Sequence, residues 1–288
     1  MSQNIKLCLG ASPIWYKEGW HVLDHKIEKT TGDKIAGDAS KMDLPDNSCE
    51  IVFCSHVFEH IPHIKLPMVI SEINRVLRPG GIFRMLTPDL EVIAKAYVEK
   101  DENFFKAAKS EDVNIRQDLG FGGMFMNFIV SPGQDTILFD RGLNEFIGGY
   151  AHLYSYDFEM MRVLFDKLGF TNIVKSPFNG SSIKEMKEPL HIDSLPPVWQ
   201  DLNDELYNKH GLIHRLVDGK YEINFKITGF DRDPLTSLIV ECKKETFVTQ
   251  NKADELFNYS KKNYNRYAKS LLKDDSVVSK FDDWGIKY

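Results

Sequence analysis

Cysteine is scarce. Only Cys8, Cys49, Cys54 and Cys242 occur in 288 residues, scattered and without a CxxC pair. That spacing excludes a disulfide scaffold and a zinc ribbon, and three of the four lie in strand-like apolar runs, as reduced core residues do. Long apolar runs are missing too: none approaches the roughly 20 residues needed to cross a bilayer. The amino terminus, MSQNIKLCLG, has neither a basic leader nor a cleavage site. The expected setting is the cytoplasm, with no membrane partner. Charge of one sign is not concentrated either. Thirty-six Lys and Arg stand against 42 Asp and Glu, a net charge of −6, and no dense basic block is present to neutralise a row of phosphates. Nucleic acid is therefore excluded as the main partner. With no internal repeat and no low-complexity linker, what remains is an ordinary globular composition, 42% hydrophobic and 27% charged, on a chain long enough to bury a sizeable core.

The first hundred residues alternate short apolar runs with turns and helical stretches, the pattern of an α/β fold with a doubly wound, mostly parallel sheet. Strands are expected at Ile5 to Leu9, His21 to Asp24, Lys34 to Ala36, Ile51 to Ser55 and Gly81 to Thr87. Each run shows little polar alternation, which fits strands buried on both faces. A crossover helix is expected over His63 to Leu77, with apolar residues at Leu66, Val69, Ile70, Ile73, Val76 and Leu77 and a stop at Arg78-Pro79-Gly80-Gly81. A second is expected from Asp89 to Lys109. This organisation divides the chain into an α/β half at 1–109, a glycine-rich lid insertion at 110–150, a helix and strand of the core at 151–176, a second insertion at 177–234, a closing strand at 235–245 and a helical tail at 246–288. Leu256, Tyr259, Tyr264, Tyr267, Leu271 and Leu272 are the tail's anchors, on its own chain or on a second copy in a homo-oligomer.

Ligands of open α/β sheets bind beyond the carboxyl ends of the strands. Those ends carry Gly10-Ala11-Ser12-Pro13, Asp24, Gly37-Asp38-Ala39, Ser55-His56 and Thr87-Pro88-Asp89. An adenosine ligand needs a carboxylate for its ribose hydroxyls, a polar side chain for its amino group and small residues where backbone approaches it. Asp24, Asp38 and Gly10-Ala11 meet those needs in that order. Asp24 also suits a simple turn cap. A dinucleotide needs more: the GxGxxG turn that holds a pyrophosphate is missing, and so is a Walker GxxxxGK[ST] sequence. A nicotinamide oxidoreductase is excluded on that ground.

Together, Gly10, Gly19-Trp-His-Val-Leu-Asp24, Gly37-Asp38-Ala39 with Leu44-Pro45, Ser55-His56-Val57-Phe58-Glu59-His60-Ile61 and Glu72-Ile-Asn-Arg-Val-Leu-Arg-Pro-Gly-Gly81 resemble the class I S-adenosylmethionine-dependent methyltransferases, in particular the type 11 group. The resemblance covers residues 5 to 90 and extends loosely through His152-Leu-Tyr-Ser-Tyr-Asp157 and Leu164 to Phe170. It implies a Rossmann-like fold, S-adenosylmethionine as cofactor with S-adenosylhomocysteine as product, and cofactor contacts from Gly10, Ala11, Ser12, Asp24, His25, Asp38, Ala39, Ser55, His56 and His60. The chain departs from the family in its first loop, where Ser12 replaces the second glycine of a GxGxG-like turn.

His56, Glu59 and His60 are spaced i, i+3 and i+4, so one helical turn would gather them. They serve proton transfer and methionine-end contacts on one reading, and a helix-start network on the other. As a metal pair, His56 and His60 lack a third ligand spaced to complete the set, and no metal is assigned. His152, Tyr154 and Tyr156 form a second cluster, which the resemblance places on the acceptor side; aromatic staples before a helix are the plain alternative. His56 and His152 are the candidate catalytic residues. Phe121, Met124, Phe125, Phe128 and Phe139 suit a pocket wall or the lid's own small core. The expected function is methyl transfer to a small-molecule or glycan-precursor acceptor. The rival reading is a methyltransferase-like scaffold that has lost its donor.

Overall fold

The computed structural model describes residues 4–10, 17–107, 119–130, 152–178, 180–187, 213–215, 221–223, 230–231, 235–245, 251–252 and 254–262. Seven strands form one sheet: β1 (Ile5–Leu9), β2 (Trp20–Asp24), β3 (Lys34–Ala36), β4 (Cys49–Ser55), β5 (Leu77–Pro88), β6 (Phe170–Lys175) and β9 (Ser237–Lys244). Their order is β3-β2-β1-β4-β5-β9-β6, and β7 (Ile213–Arg215) pairs with β8 (Tyr221–Ile223) in a separate two-stranded sheet. The first five strands pair in parallel, while β9 runs antiparallel to both of its neighbours. The mostly parallel, doubly wound sheet expected from the sequence is therefore present. The strand expected to close it lies inside it instead, because the run from Leu238 to Cys242 is buried throughout and a strand buried on both faces belongs between neighbours.

Side chains along the strands alternate between two cores, as the period of two requires. Leu7, Leu9, Val52 and Cys54 join one core with the helices α1 (Leu66–Val76) and α5 (Phe158–Lys167). Cys8, Ile51 and Phe53 join the other with Trp20, Met186, Phe230 and Ile239. Helix α1 presents Leu66, Val69, Ile70, Ile73 and Val76 to its core, each at 0 or 1% exposure, and Pro67 suits its first turn. Arg78-Pro79-Gly80-Gly81 does more than stop this helix, since Leu77 already opens β5. A side chain at Gly81 would stand 2.8 Å from the Arg78 carbonyl and 3.2 Å from that of Glu50, so β5 reaches β4 only through glycine.

The helix expected over 89–109 is two helices, α2 (Leu90–Glu99) and α3 (Glu102–Ala107). Lys100 adopts a left-handed conformation, φ 56°, and its N–H closes α2 on Ala96 and Tyr97. Asp101 then caps the next helix, accepting the Phe104 N–H at 2.9 Å. A further helix, α4 (Gly120–Ile129), lies inside the segment expected to be loop. Phe121, Met124, Phe125 and Phe128 pack there against Ala96 and Phe105 as a small core of their own; Phe139 lies outside the described residues. In the tail, residues 251–252 and 254–262 are helical. Leu256 packs on the main core, whereas Tyr259, expected as an anchor, is 68% exposed; the other four anchors lie outside the described residues. Among the described residues no helix is long and apolar enough to cross a membrane.

Candidate active site at the carboxyl ends of the strands

Strand order runs outward from β1 through β2 to β3 on one side and from β4 to β5 on the other. The reversal leaves a crevice beyond the carboxyl ends of β1 and β4, where open α/β sheets bind ligands. Gly10 stands at the end of β1 with φ 65°, its N–H bonded to the Leu23 carbonyl at 2.8 Å. A side chain there would meet the Val57 methyl group at 2.6 Å, so both conformation and space demand glycine. Ala11 and Ser12 lie outside the described residues. Asp24 ends β2 and is 5% exposed. Its Oδ1 accepts the Lys26 N–H at 2.7 Å and lies 3.6 Å from Nδ1 of the exposed His25. Asp38, half-buried beyond β3, holds its turn in the same manner, with Oδ1 accepting from the Ser40 N–H at 2.7 Å and the Ser40 hydroxyl at 2.8 Å. Ala39 packs partly against the main core. Both aspartates thus combine the turn-capping role with a place at adjacent strand tips.

Glu72 accepts the Met42 N–H at 2.8 Å, and Arg75 donates to the carbonyls of Met42 at 2.9 Å and Leu44 at 2.8 Å. The Glu-x-x-Arg part of the family-like motif therefore ties α1 to the loop that follows Asp38.

At the end of β4, the buried Ser55 hydroxyl has no hydrogen-bond partner among the described residues. His56 takes a left-handed conformation, φ 52°, which is costly outside glycine. It is held by its N–H to Leu86 at 2.9 Å. The reversal leads into a single 3-10 turn, Phe58–His60, with Phe58 fully buried beneath it. The turn carries Glu59 inward to 1% exposure. There Oε1 meets His56 Nδ1 at 3.0 Å and Oε2 accepts the Thr87 hydroxyl at 3.1 Å. His56 Nε2 faces the Ser237 hydroxyl at 3.1 Å. Burial works to raise the Glu59 carboxyl, but the His56 hydrogen bond and the charges of His56, His60 and His152 outweigh it and hold the group at about 2.

His152 reaches the same place from 92 residues beyond His60. The Glu59 carbonyl accepts the N–H groups of Leu153 at 2.6 Å and Tyr154 at 3.3 Å, which docks the segment against the turn. The His152 ring stands edge-on to His60, with centroids 5.0 Å apart, and its Nδ1 lies 3.3 Å from the Phe128 carbonyl. Burial lowers its pKa against the pull of Glu59, favouring the neutral imidazole. Alongside, His63 stacks on Tyr154 at 4.3 Å. The Tyr156 hydroxyl is buried without a hydrogen-bond partner among the described residues, and burial pushes its pKa up.

Of the residues anticipated from sequence, Asp24, His25 and Asp38 gather at one side of the crevice, and His56, His60 and His152 gather at the other. Glu59, grouped with His56 and His60 by its spacing but not named among the candidate site residues, is the centre of the second group. Thr87 was noticed only as a strand-end residue without a role, and Ser237 was not anticipated as a site residue. Thr87 has a sequence signal, its place at a strand end; Ser237, 181 residues from His56, has none.

A methyltransferase domain family model matches residues 21–85. The chain is 39% identical over 71 residues to a sterol 24-C-methyltransferase of Yarrowia lipolytica, covering 21% of this chain and 18% of that protein. It is 46% identical over 39 residues to a probable methyltransferase of Aspergillus luteorubrus, covering 13% and 14%. The chain thus spans less than a fifth of the length of these relatives. Among solved structures, an S-adenosylmethionine-dependent methyltransferase from Mesorhizobium loti is similar at a TM-score of 0.39 and 12% identity, over 84% of this chain and 92% of that one. A phosphoethanolamine N-methyltransferase of Haemonchus contortus, in complex with S-adenosyl-L-methionine, is similar at a TM-score of 0.35 and 15% identity, over 85% of this chain and 50% of that one.

Proposed function

We propose that this chain, whose residues 21–85 match a methyltransferase domain model, is a class I S-adenosylmethionine-dependent methyltransferase that binds its cofactor in the crevice between β1 and β4 and methylates a small-molecule acceptor, glycan precursors included. The observation that carries the reading is the buried Asp24 carboxylate at the tip of β2 beside a glycine, Gly10, that tolerates no side chain. The orphaned Ser55 hydroxyl at the adjacent strand end is a second polar group with capacity for a ligand. The residues fit the cofactor: Asp24 for the ribose hydroxyls, Asp38 and Ala39 for the adenine, and Gly10 with Ser55 for the methionine end. His25, exposed beside Asp24, borders the ribose.

When bound, the cofactor supplies an electrophilic methyl group on a positively charged sulfur. The chain supplies position. Holding donor and acceptor in near-attack geometry is worth up to about 7 to 11 kcal/mol in well-oriented cases. His56 has both ring nitrogens engaged, with Glu59 and Ser237, so its role is to position Glu59 and the turn. His152, half-buried, stands with His60, His63 and Tyr154 on the acceptor side, where their rings exclude water from a bound molecule. The four thiols, all buried and outside any disulfide, suit a reducing compartment, and the cytoplasm is the setting we assign.

Calorimetric titration with S-adenosylhomocysteine tests the reading. The enzyme binds one molecule per chain and its melting temperature rises with ligand. A scaffold without a donor site gives no heat at millimolar ligand, and that result overturns the proposal.

A further inference from the structure

Glu59, His60 and His152 each offer a ligand atom within 4.8 Å of the other two. We propose that these three side chains form a zinc site on the acceptor side of the crevice, and that the acceptor is a hydroxyl compound whose oxygen the ion receives. The inference rests on the methyltransferase reading for the acceptor's fate, but the metal site stands on its own geometry. Zinc is bound by nitrogen and carboxylate oxygen at about 2.0 to 2.2 Å, so two ligands of one tetrahedral ion lie about 3.3 to 3.6 Å apart. Closing the present cluster around an ion therefore takes approaches of up to about 1.5 Å between ligand atoms.

Three features mark the set as built for the purpose. The first is donor chemistry: two imidazoles and one carboxylate suit zinc, whereas magnesium and calcium favour oxygen alone. The second is orientation. Glu59 is held at both oxygens, by His56 and by Thr87. The His152 Nδ1 faces the Phe128 carbonyl, which can only accept, so Nδ1 carries the hydrogen and Nε2 presents its lone pair. A carbonyl that orients a metal-bound imidazole in this way, as Phe128 does for His152, is a usual outer-shell partner of a metal site. The third is the ligand count. Three protein ligands leave zinc an open position, as in catalytic rather than structural sites, and the two imidazoles are only half-buried, so that position is accessible.

An oxygen at that position has its pKa lowered by the ion, which answers the absence of a disengaged base at His56. In the transfer, the acceptor hydroxyl releases its proton to water and its oxygen pair forms the new bond to carbon. The carbon–sulfur pair stays on sulfur, which leaves S-adenosylmethionine as neutral S-adenosylhomocysteine.

The test uses the full chain, dialysed against chelator and then titrated with zinc chloride, with metal content measured after desalting. Wild type is expected to retain one zinc per chain, and H60A and H152A to bind it at least 100-fold more weakly. H152Q, close in size, is to be checked for folding by circular dichroism, so that a loss of zinc in the folded variant excludes misfolding as the cause. Cobalt substitution adds a readout: visible bands of four-coordinate cobalt in wild type, absent in H152Q. Wild type that retains no more zinc than the H60A/H152A double variant overturns the site. Parallel titration with S-adenosylhomocysteine separates the two readings. Its binding without zinc uptake leaves the methyltransferase and removes the metal site; zinc uptake without its binding does the reverse.

Discussion

Arg84 lies in the middle of β5 with no exposed surface. Its guanidinium donates Nε and Nη2 to the two oxygens of the buried Asp231, and Nη1 to Glu241 and Ser176 at 2.9 Å each. Glu241 is also held by the hydroxyls of Ser181 and Ser182. One residue thus joins β5, β9 and the segments around 181 and 231. Desolvating such charges is expensive, and the arrangement is sustained only because every member is paired. Arg84→Met would strand two buried carboxylates and is expected to cost about 3 to 5 kcal/mol, read from the urea midpoint; a loss below about 1 kcal/mol would mean the network contributes little. Nothing in the sequence announced it. Arg84 reads there as a lone charge in an apolar run, and Asp231 lies 147 residues away. The site divides in the same way. Asp24, Asp38 and the His56, Glu59 and His60 group are legible because strand ends and i, i+3 spacing are local. His152 is legible as a candidate, but its place beside Glu59 and His60 is not, because that depends on hydrogen bonds from Leu153 and Tyr154 to the Glu59 carbonyl.

Elements were legible where hydrophobic period and burial agree. β1 and α1 carry unbroken apolar faces, so their existence followed from period alone. Errors fell where backbone conformation rather than pattern decides. The apolar spacing through Leu90, Ile93, Ala96 and Tyr97 runs on toward Phe104 and Phe105, yet Lys100 turns left-handed and splits the helix. Lysine gives no warning of this, because the residue that favours such a turn is glycine. α4 was missed for the converse reason: Gly120, Gly122 and Gly123 suggest loop, but Met124, Phe125 and Phe128 gain a core from α2 and α3, and tertiary burial overrides propensity. The strand β9 was legible in SLIVEC, but its place inside the sheet and its direction were not, since its pairing partners are distant in sequence.

At the scale of the whole molecule, the sheet buries all four thiols: Cys8 in β1, Cys49 and Cys54 in β4, and Cys242 in β9. Burial raises Cys49 to about 11 and pushes Cys54 and Cys242 up as well. A thiol that stays protonated in the fold beyond its ordinary value of 9.0 makes the native state bind more protons than the unfolded chain. Stability is then full below pH 9 and falls as pH rises toward the folded value. Each thiol contributes a slope of about 1.4 kcal/mol per pH unit. Lys244, lowered by burial to about 8, acts in the opposite sense, adding stability as pH rises from 8 to its ordinary 10.5. Three thiols outweigh one amine above pH 9. Urea unfolding under reducing conditions is expected to show a net loss between pH 9 and 10.5; constant or rising stability would contradict the buried, protonated thiols.

The account as a whole depends on Asp24 holding the ribose of an adenosyl ligand at the β1–β4 crevice. Asp24→Asn tests this most directly, since the amide keeps an oxygen for the Lys26 N–H and so preserves the turn while losing the charge and one acceptor. In calorimetry with S-adenosylhomocysteine, the variant is predicted to bind about 1 to 3 kcal/mol more weakly than wild type, roughly 5- to 150-fold, with its melting temperature in the absence of ligand unchanged. An affinity within twofold of wild type would contradict the account.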